Sequence, residues 1–480
     1  MGLIKAIRKG VIASRMANET NELNEERVRV LINEFIDSSR YSWMKIGSRY
    51  YRVDNDIMKP LTKEQQDDYK SHNQLAHAKY KSMVDEKVSY LLSKPYTLGH
   101  SNKKYLEMIK SILENLRYTV FKLGYESSNK GIGWLQVYLD EKGEFKTMII
   151  PSEQCIPVWR DSNHDELDYM IRAYTEIVWQ GNVRVPVTSV EVWSAKGVKY
   201  YRLVNDLLVP DPRKALDEYN GPTAHYQKDG MWTNWGRVPF VPFKNNIIEF
   251  PDIKFIKSLI DGYDHSRSET ANYVDDAINY LVFVYGYGGG DKGKFMRELK
   301  EYHMALLDDK TESGIDIATP PTNVTAIKEH FEQLKHDICE DGQSINKDLD
   351  KFGSAPSGVA LKFLYSGLEL KANAMAQEYQ ESFKTLQYFI NHYLKERNQS
   401  VDESPIEVVF NVDMKSDETE TITNCSNSRG VISDETILAN HPWVKNAEEE
   451  LKKLKEQSDE NNPFKDKVPV KVKEDGNNEE

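Results

Sequence analysis

The chain has 480 residues, 39% hydrophobic and 29% charged, with a formal net charge of −13. That length exceeds one ordinary core and calls for two to four structural units. The acidic balance argues against a protein that grips nucleic acid by neutralising many phosphates. It suits a protein kept in solution at high local concentration. Cys155, Cys339 and Cys425 stand far apart with no CxxC pair, so no disulfide framework or thiolate metal site is expected, and a reducing compartment is the default. No run of 18 apolar residues occurs, so no membrane span is expected.

In chain order, residues 1–16 read as an amphipathic helix. Leu3, Ile4, Ile7, Val11 and Ile12 share a face, while lysines and arginines interrupt any signal-peptide core. Docking on its own protein or a neighbouring subunit is the plain reading of this helix, and surface binding is the other. Residues 22–94 are mainly helical in pattern: Asn73, Ala76, Tyr80, Met83, Val84, Lys87, Val88 and Leu91 recur every three or four positions, and Pro95 stops the run. A second helical stretch covers 102–123.

The period then changes to two. Leu135, Val137 and Leu139 alternate, Asp140-Glu141-Lys142-Gly143 supplies a turn, and Phe145 to Ile150 returns, which predicts a β-hairpin. Strands over 169–174, 190–193 and 200–204 extend it to an antiparallel meander. Residues 238–243 are extended because each proline restricts its predecessor. Asp252 is a plausible N-cap for a long helix with a seam through Ile256, Ile260, Tyr263, Thr270, Val274, Ala277 and Leu281, ending at Gly286. A small insert follows, with a helix near 294–302 and a strand near 315–317. A second long helix covers 323–349. A third, of about 40 residues, starts at Ser357-Gly358 and spans ~60 Å. Its heptad-like stripe passes through Leu364, Leu368, Met375, Tyr379, Phe383 and Leu386. Helices this long usually pack against copies of themselves, so the stripe is expected to join subunits. Past Pro405 come a strand over 406–412, helices near 418–429 and 434–439, another helix and a charged tail.

Motifs for chemistry are thin. Gly288 to Lys294 matches the first seven positions of the phosphate loop GxxxxGK[ST], but Phe295 occupies the eighth, where a hydroxyl should bind magnesium. The preceding segment has a helical period, and Ala305 to Asp308 follows too closely to be the partner motif. A flexible glycine turn is the better reading. His72 and His77 are five apart, and His330 and His336 six apart, so neither pair sits like the ligands of HExxH. No catalytic residue, metal or cofactor is expected. The loop Asp348 to Pro356 presents one cation, Lys351, and one aromatic, Phe352.

Five segments in this order and spacing carry a resemblance: Lys81–Lys94 before Pro95, Ile150-Pro151-Ser152-Glu153-Gln154, Ser258–Asp276, Phe352-Gly353 with Ser357–Lys362, and Arg429–Thr436. The chain resembles the portal proteins of tailed bacteriophages, in the branch common in phages of Gram-positive hosts. The resemblance implies an α+β, predominantly helical, elongated subunit assembled as a ring of typically about twelve copies. Its parts would be a wing (1–251), a first stem helix (252–286), a clip (287–323), a second stem helix (324–348), a tunnel loop (349–357), a long wing helix (358–404), a crown (405–456) and a charged tail (457–480).

Double-stranded DNA would pass through without sequence specificity. The tunnel loop would face it, with Lys347, Lys351, Phe352, Gly353 and Ser354. The clip would meet the terminase large subunit and later a head-completion or adaptor protein, through Lys292, Lys294, Arg297, Glu298 and Lys300. Major capsid and scaffolding proteins would surround the ring. The protein would belong to the virion's portal vertex and to the host cytoplasm during assembly. The alternatives are an NTPase built on 288–294 and a helical scaffold or adaptor.

Overall fold

The computed structural model describes residues 23–63, 66, 71–211, 214, 222–228, 230–277, 281–285, 304–307, 315–318, 324–346, 358–412, 418–444 and 447–460. The amphipathic N-terminus, the expected helix near 294–302 and the charged tail lie outside them. The chain divides into two compact units. The first comprises 1–346 and 367–413, and the second 347–366 and 414–480.

The first unit opens with α1 (Glu25–Ile36) and α2 (Ser39–Tyr51), capped by the side chains of Asn24 and Ser38. The next long helix, α3, begins only at Lys79 and ends at Leu92. Asn73 and Ala76, expected on it, lie in a non-helical segment. The stretch expected as one helix over 102–123 is two, α4 (Lys103–Glu114) and α5 (Arg117–Lys130), with β1 (Thr97–Gly99) just before them. Gly131 closes α5 with a left-handed φ of 87°, and a Cβ there would sit 2.3 Å from the Glu249 carbonyl oxygen. Only glycine meets both demands.

The predicted hairpin is β2 (Ile132–Leu139) and β3 (Phe145–Ile150), and β11 (Phe240–Lys244) pairs on the other side of β2. The predicted meander divides: the hairpin stays in its own sheet, and the three later strands lie in a separate five-stranded antiparallel sheet with two unexpected edge strands, in sequential order β4 (Cys155–Trp159), β5 (Leu167–Gln180), β6 (Val183–Ser194), β7 (Gly197–Val204) and β8 (Leu207–Pro210). Strands β5 and β6 are longer than expected. Beyond the Thr188–Leu203 pair, β6 has only β5 beside it, so Pro186 breaks no ladder there. Val28 and Ile32 of α1 cover Ile156, Ile171, Val190 and Tyr201. Met44, Trp134, Met170, Trp193 and Phe240 form a second core. A short hairpin, β9 (Tyr226–Lys228) and β10 (Met231–Thr233), lies between the sheets in sequence.

The first long helix, α6 (Ile253–Ala277), is shorter than expected. Leu281, assigned to its seam, starts a strand instead. This strand, β12 (Leu281–Tyr285), is central to a small sheet, parallel to β13 (Met304–Leu307) and antiparallel to β14 (Ile315–Ala318). The run Leu281 to Tyr285 has no polar side chain to mark a helix face, and cross-strand pairing decides its conformation. The second long helix, α7 (Val324–Asp341), stops well before Leu349. Met83 Cε lies 1.8 Å from where a Gly342 Cβ would be, so the chain turns tightly under α3.

The third long helix, α8 (Gly358–Glu396), has the expected length of 39 residues, but its stripe is not a subunit seam. Leu368, Met375, Tyr379, Phe383 and Leu386 are all 2% exposed or less within this one chain, and only Leu364 is half-buried. Phe243 of β11 meets Tyr379 at 4.9 Å and Tyr96 meets Phe383 at 5.2 Å between ring centroids. The body is large enough to wrap most of the helix, so the apolar stripe is satisfied at home. The strand after Pro405, β15 (Glu407–Val409), pairs with β1 and so belongs to the first unit.

In the second unit, α9 (Glu418–Asn427), α10 (Asp434–Asn440) and α11 (Ala447–Glu460) follow in order. Ser433 caps α10 by accepting from the Thr436 N–H, as its sequence suggests. None of the three cysteines is in a disulfide.

Candidate functional site

The residues around α6 form a dense network of polar contacts. Helices α6 and α7 run out and back. Lys371 Nζ of α8 donates to the Gly342 carbonyl at the end of α7 (3.0 Å) and lies 3.2 Å from Asp252 Oδ2 at the start of α6. Further along, Tyr263 and Arg267 of α6 face Phe331 of α7. The far ends of the pair lead into the β12–β14 sheet. The pair is therefore an arm with a sheet at one end and a root at the other.

The root is a buried charge cluster. Asp252 accepts from Lys87 Nζ at 2.6 Å and from Asn245 Nδ2 at 2.8 Å. Lys87 also donates to Asn245 Oδ1 at 2.6 Å. Lys87 is 1% exposed and Asp252 5%. Burial alone would raise the Asp252 carboxyl, but Lys371 and Lys87 outweigh it and hold it down to about 2. Burial pulls the Lys87 ammonium down to about 8, against Asp252 and with Lys371 adding to the effect. Two lysines on one buried carboxylate leave an excess positive charge, which holds the carboxyl down and adds to the burial that lowers Lys87. Side chains from α3, α6 and α8, and the carbonyl closing α7, thus meet at one point. The expected N-cap Asp252 spends its carboxylate on this junction.

A second set of contacts runs along α6. The N–H groups of Asn73, Leu75 and His77 donate to Asn272 Oδ1 (2.5 Å), Ser268 Oγ (2.9 Å) and Asp264 Oδ1 (3.1 Å). Two residues of extended chain rise ~6.7 Å and four of helix ~6.0 Å, so alternate amides match successive turns. This is why 71–78 is extended: its backbone is satisfied by side chains 187 to 199 positions away, which no local periodicity reveals. Burial raises the Asp264 carboxyl despite bonds from Asn55 and His77. Nearby, Lys257 bridges Asp56 and Asp261 at 2.7 and 2.6 Å, and Tyr50 donates to Asp261.

These groups pair with one another and leave no nucleophile–base arrangement in view. Among the described residues no cluster of His, Cys, Asp and Glu could hold a metal, and no helix is long and apolar enough to cross a membrane. A cavity of about 180 Å³ between Trp159, Arg237 and Phe389 has its cations engaged: Arg160 with Asp168 and Glu166, and Arg237 over Tyr388.

Of the residues singled out by sequence, Lys347, Lys351, Phe352, Gly353 and Ser354 lie outside the described residues, as do Lys292, Lys294, Arg297, Glu298 and Lys300. The stripe of α8 is brought together as core. Sequence reasoning missed the root cluster, although Lys87 gave a signal: a lysine standing at apolar spacing between Val84 and Val88.

The model of the phage portal protein family, SPP1 Gp6-like, matches residues 36–463, and the chain belongs to that family. It is 28% identical over 472 residues to the portal protein of Bacillus phage SPP1, covering 91% of this chain and 90% of that one. It is 30% identical over 443 residues to the portal protein of Clostridium phage phiCD119, covering 88% and 94%. A chain in the neck of a native GTA particle computed with C12 symmetry aligns over 76% of this chain and 89% of that one, at TM-score 0.37 and 11% identity, too slight a likeness to argue from. The role is that of a phage portal: a capsid-associated, oligomeric head–tail connector of the virion, in a structural family.

Proposed function

We propose that copies of this chain close into a ring of about twelve at one capsid vertex and that double-stranded DNA passes through it during packaging and ejection. The observation that carries this reading is the arm: two antiparallel helices, joined at the root by buried charge and leading to a small sheet. In this reading α6 and α7 are the stem, the segment from β12 to β14 is the clip that meets the terminase and later an adaptor, and 349–357 is the tunnel loop. Residues 1–251 and α8 form the wing, and the second unit holds the crown, facing the capsid interior. Capsid and scaffolding proteins surround the ring, which assembles in the host cytoplasm. The net charge of −13 per copy repels the duplex from the wall and leaves Lys347 and Lys351 as sparse contacts.

Packaging tests it. Procapsids carrying the wild-type chain should protect full-length DNA from nuclease, and Lys351→Glu procapsids should form yet protect much less. Equal protection by both removes this loop from the DNA path. Reversing Lys292, Lys294, Arg297, Glu298 and Lys300 together should weaken terminase capture while rings still form. Unchanged capture moves the motor contact elsewhere.

One observation favours a second reading. The glycine-rich segment follows a strand, β12, which is parallel to β13, and that is the order a phosphate loop has. The helical period expected before it is overturned. Phe295 still stands where the metal-binding hydroxyl belongs. We expect no ATP hydrolysis. A turnover abolished by Lys294→Ala decides for the enzyme.

A further inference from the structure

We infer that the outer face of α6, from Phe255 to Glu269, is a contact between copies of this chain, with Gly262 at the point of closest approach. The inference rests on the portal reading and names a surface that reading leaves open.

Helix α6 has four sides, and three are covered from within the chain. Ile253, Ile256 and Ile260 are fully buried in the body. Tyr263 and Arg267 take α7. Lys257, Asp261, Asp264, Ser268 and Asn272 hold the segments around Tyr50, Asp56 and 73–77. The fourth side, opposite the isoleucines, carries Phe255, Ser258, Gly262, His265 and Glu269. Ser258, His265 and Glu269 are exposed, and Phe255 is 51% exposed. Their spacing alternates three and four, the spacing of helices that pack side by side at about 20°.

Gly262 is the second, independent observation. A glycine inside a helix costs about 1 kcal/mol relative to alanine. At two other helical glycines the chain explains it. A Cβ on Gly47 of α2 would sit 1.9 Å from the Asn129 carbonyl oxygen, and one on Gly124 of α5 would sit 2.6 Å from Leu92. A Cβ on Gly262 meets nothing within 4 Å. Among the described residues nothing fills that space, which lies about two turns from the exposed Phe255.

The occupant is a second copy. The five positions include a glutamate and no lysine or arginine, which disfavours a phosphate backbone. The connector is oligomeric, and a face that meets a different face of the next copy is the kind of contact that closes rings. The seam is ~21 Å long and ~10 Å wide, far below the ~800 Å² per partner of a stable pair. It sets the register of a larger contact, to which the loop entering α6 adds Ile247, 85% exposed.

Gly262→Leu in the full chain tests this. Leucine is the better helix former and the site is open, so the unassembled variant should melt no earlier than wild type. Assembly, read by mass photometry alongside wild type co-expressed with capsid and scaffolding proteins, should fall by more than about tenfold. Gly262→Ala should fall between the two. Wild-type assembly by Gly262→Leu overturns the inference, including the case where such rings fail to package DNA, which would turn the face to the channel. Loss of folding in Gly262→Leu overturns it too, because the glycine would then be needed inside the chain. A wild-type chain that stays single under these conditions overturns the portal reading itself, so the two failures are distinct.

Discussion

Helices α6 and α8 both carry stripes spaced three and four apart, and the stripes have opposite fates. On α8 the stripe is Leu368, Met375, Tyr379, Phe383 and Leu386, and the chain's own β11, α5 and β1 region enclose it. On α6 the outward stripe holds Phe255, Ser258, Gly262, His265 and Glu269, and the described body leaves it open. Spacing marks a seam in both. What separates them is composition: the α8 stripe is large apolar groups throughout, whereas the α6 stripe has one, Phe255, among small and polar residues.

The contrast can be broken at its strong end first. Tyr379→Ala or Phe383→Ala should destabilise the unassembled chain by about 3–5 kcal/mol, read as a lowered denaturant midpoint. Phe255→Ala should change that midpoint by less than about 0.5 kcal/mol. If the two changes cost the same, the core and the outward seam have been misassigned.

The root cluster comes next. Asp252→Ala leaves Lys87 and Lys371 facing each other in a buried site and should cost about 3–5 kcal/mol. Lys87→Met keeps the Asp252–Lys371 pair and should cost less, about 1–3 kcal/mol. The reverse order in chemical denaturation would mean that Lys87, not Asp252, is the hub of the root.

A smaller effect follows from pH. Asp252 is held at about 2 in the folded chain, below the ~3.9 of an unfolded aspartate. The unfolded chain therefore binds the proton first, so this stabilisation is present above about pH 4 and lost as pH falls toward 2. It amounts to about 2 kcal/mol. Asp252→Asn should lack that step in a pH series of unfolding midpoints, and an unchanged acid limb would show that the lysines do not hold this carboxylate. Smallest of all, Gly262→Ala should stabilise the unassembled chain by up to about 1 kcal/mol. A loss of stability would place a packed neighbour inside the chain.

Legibility in the sequence followed the range of the forces. The β2–β3 hairpin, strands β5 to β7 and the 39 residues of α8 were readable because alternation, turn residues and helical periodicity act locally. The extended 71–78 segment was not, since its amides are satisfied by Asp264, Ser268 and Asn272 of a distant helix. Leu281 to Tyr285 misled because an all-apolar run has no period, and its partners at 304–307 and 315–318 decide it. Lys87 stood in plain view on an apolar face, but its partners Asn245 and Asp252 come from beyond the β-rich middle. The spacing of the α8 stripe marks a buried face, but a sequence gives that spacing without the size of the body behind it, and the chain's own body takes the place of the expected neighbouring subunit.

The most direct measurement is negative-stain imaging, with subunit counting by mass, of the full-length chain purified after co-expression with its capsid and scaffolding proteins. Closed rings of about twelve copies around an open centre are the expected result. A uniform population of single chains, or open filaments that never close, would contradict a DNA-conducting portal.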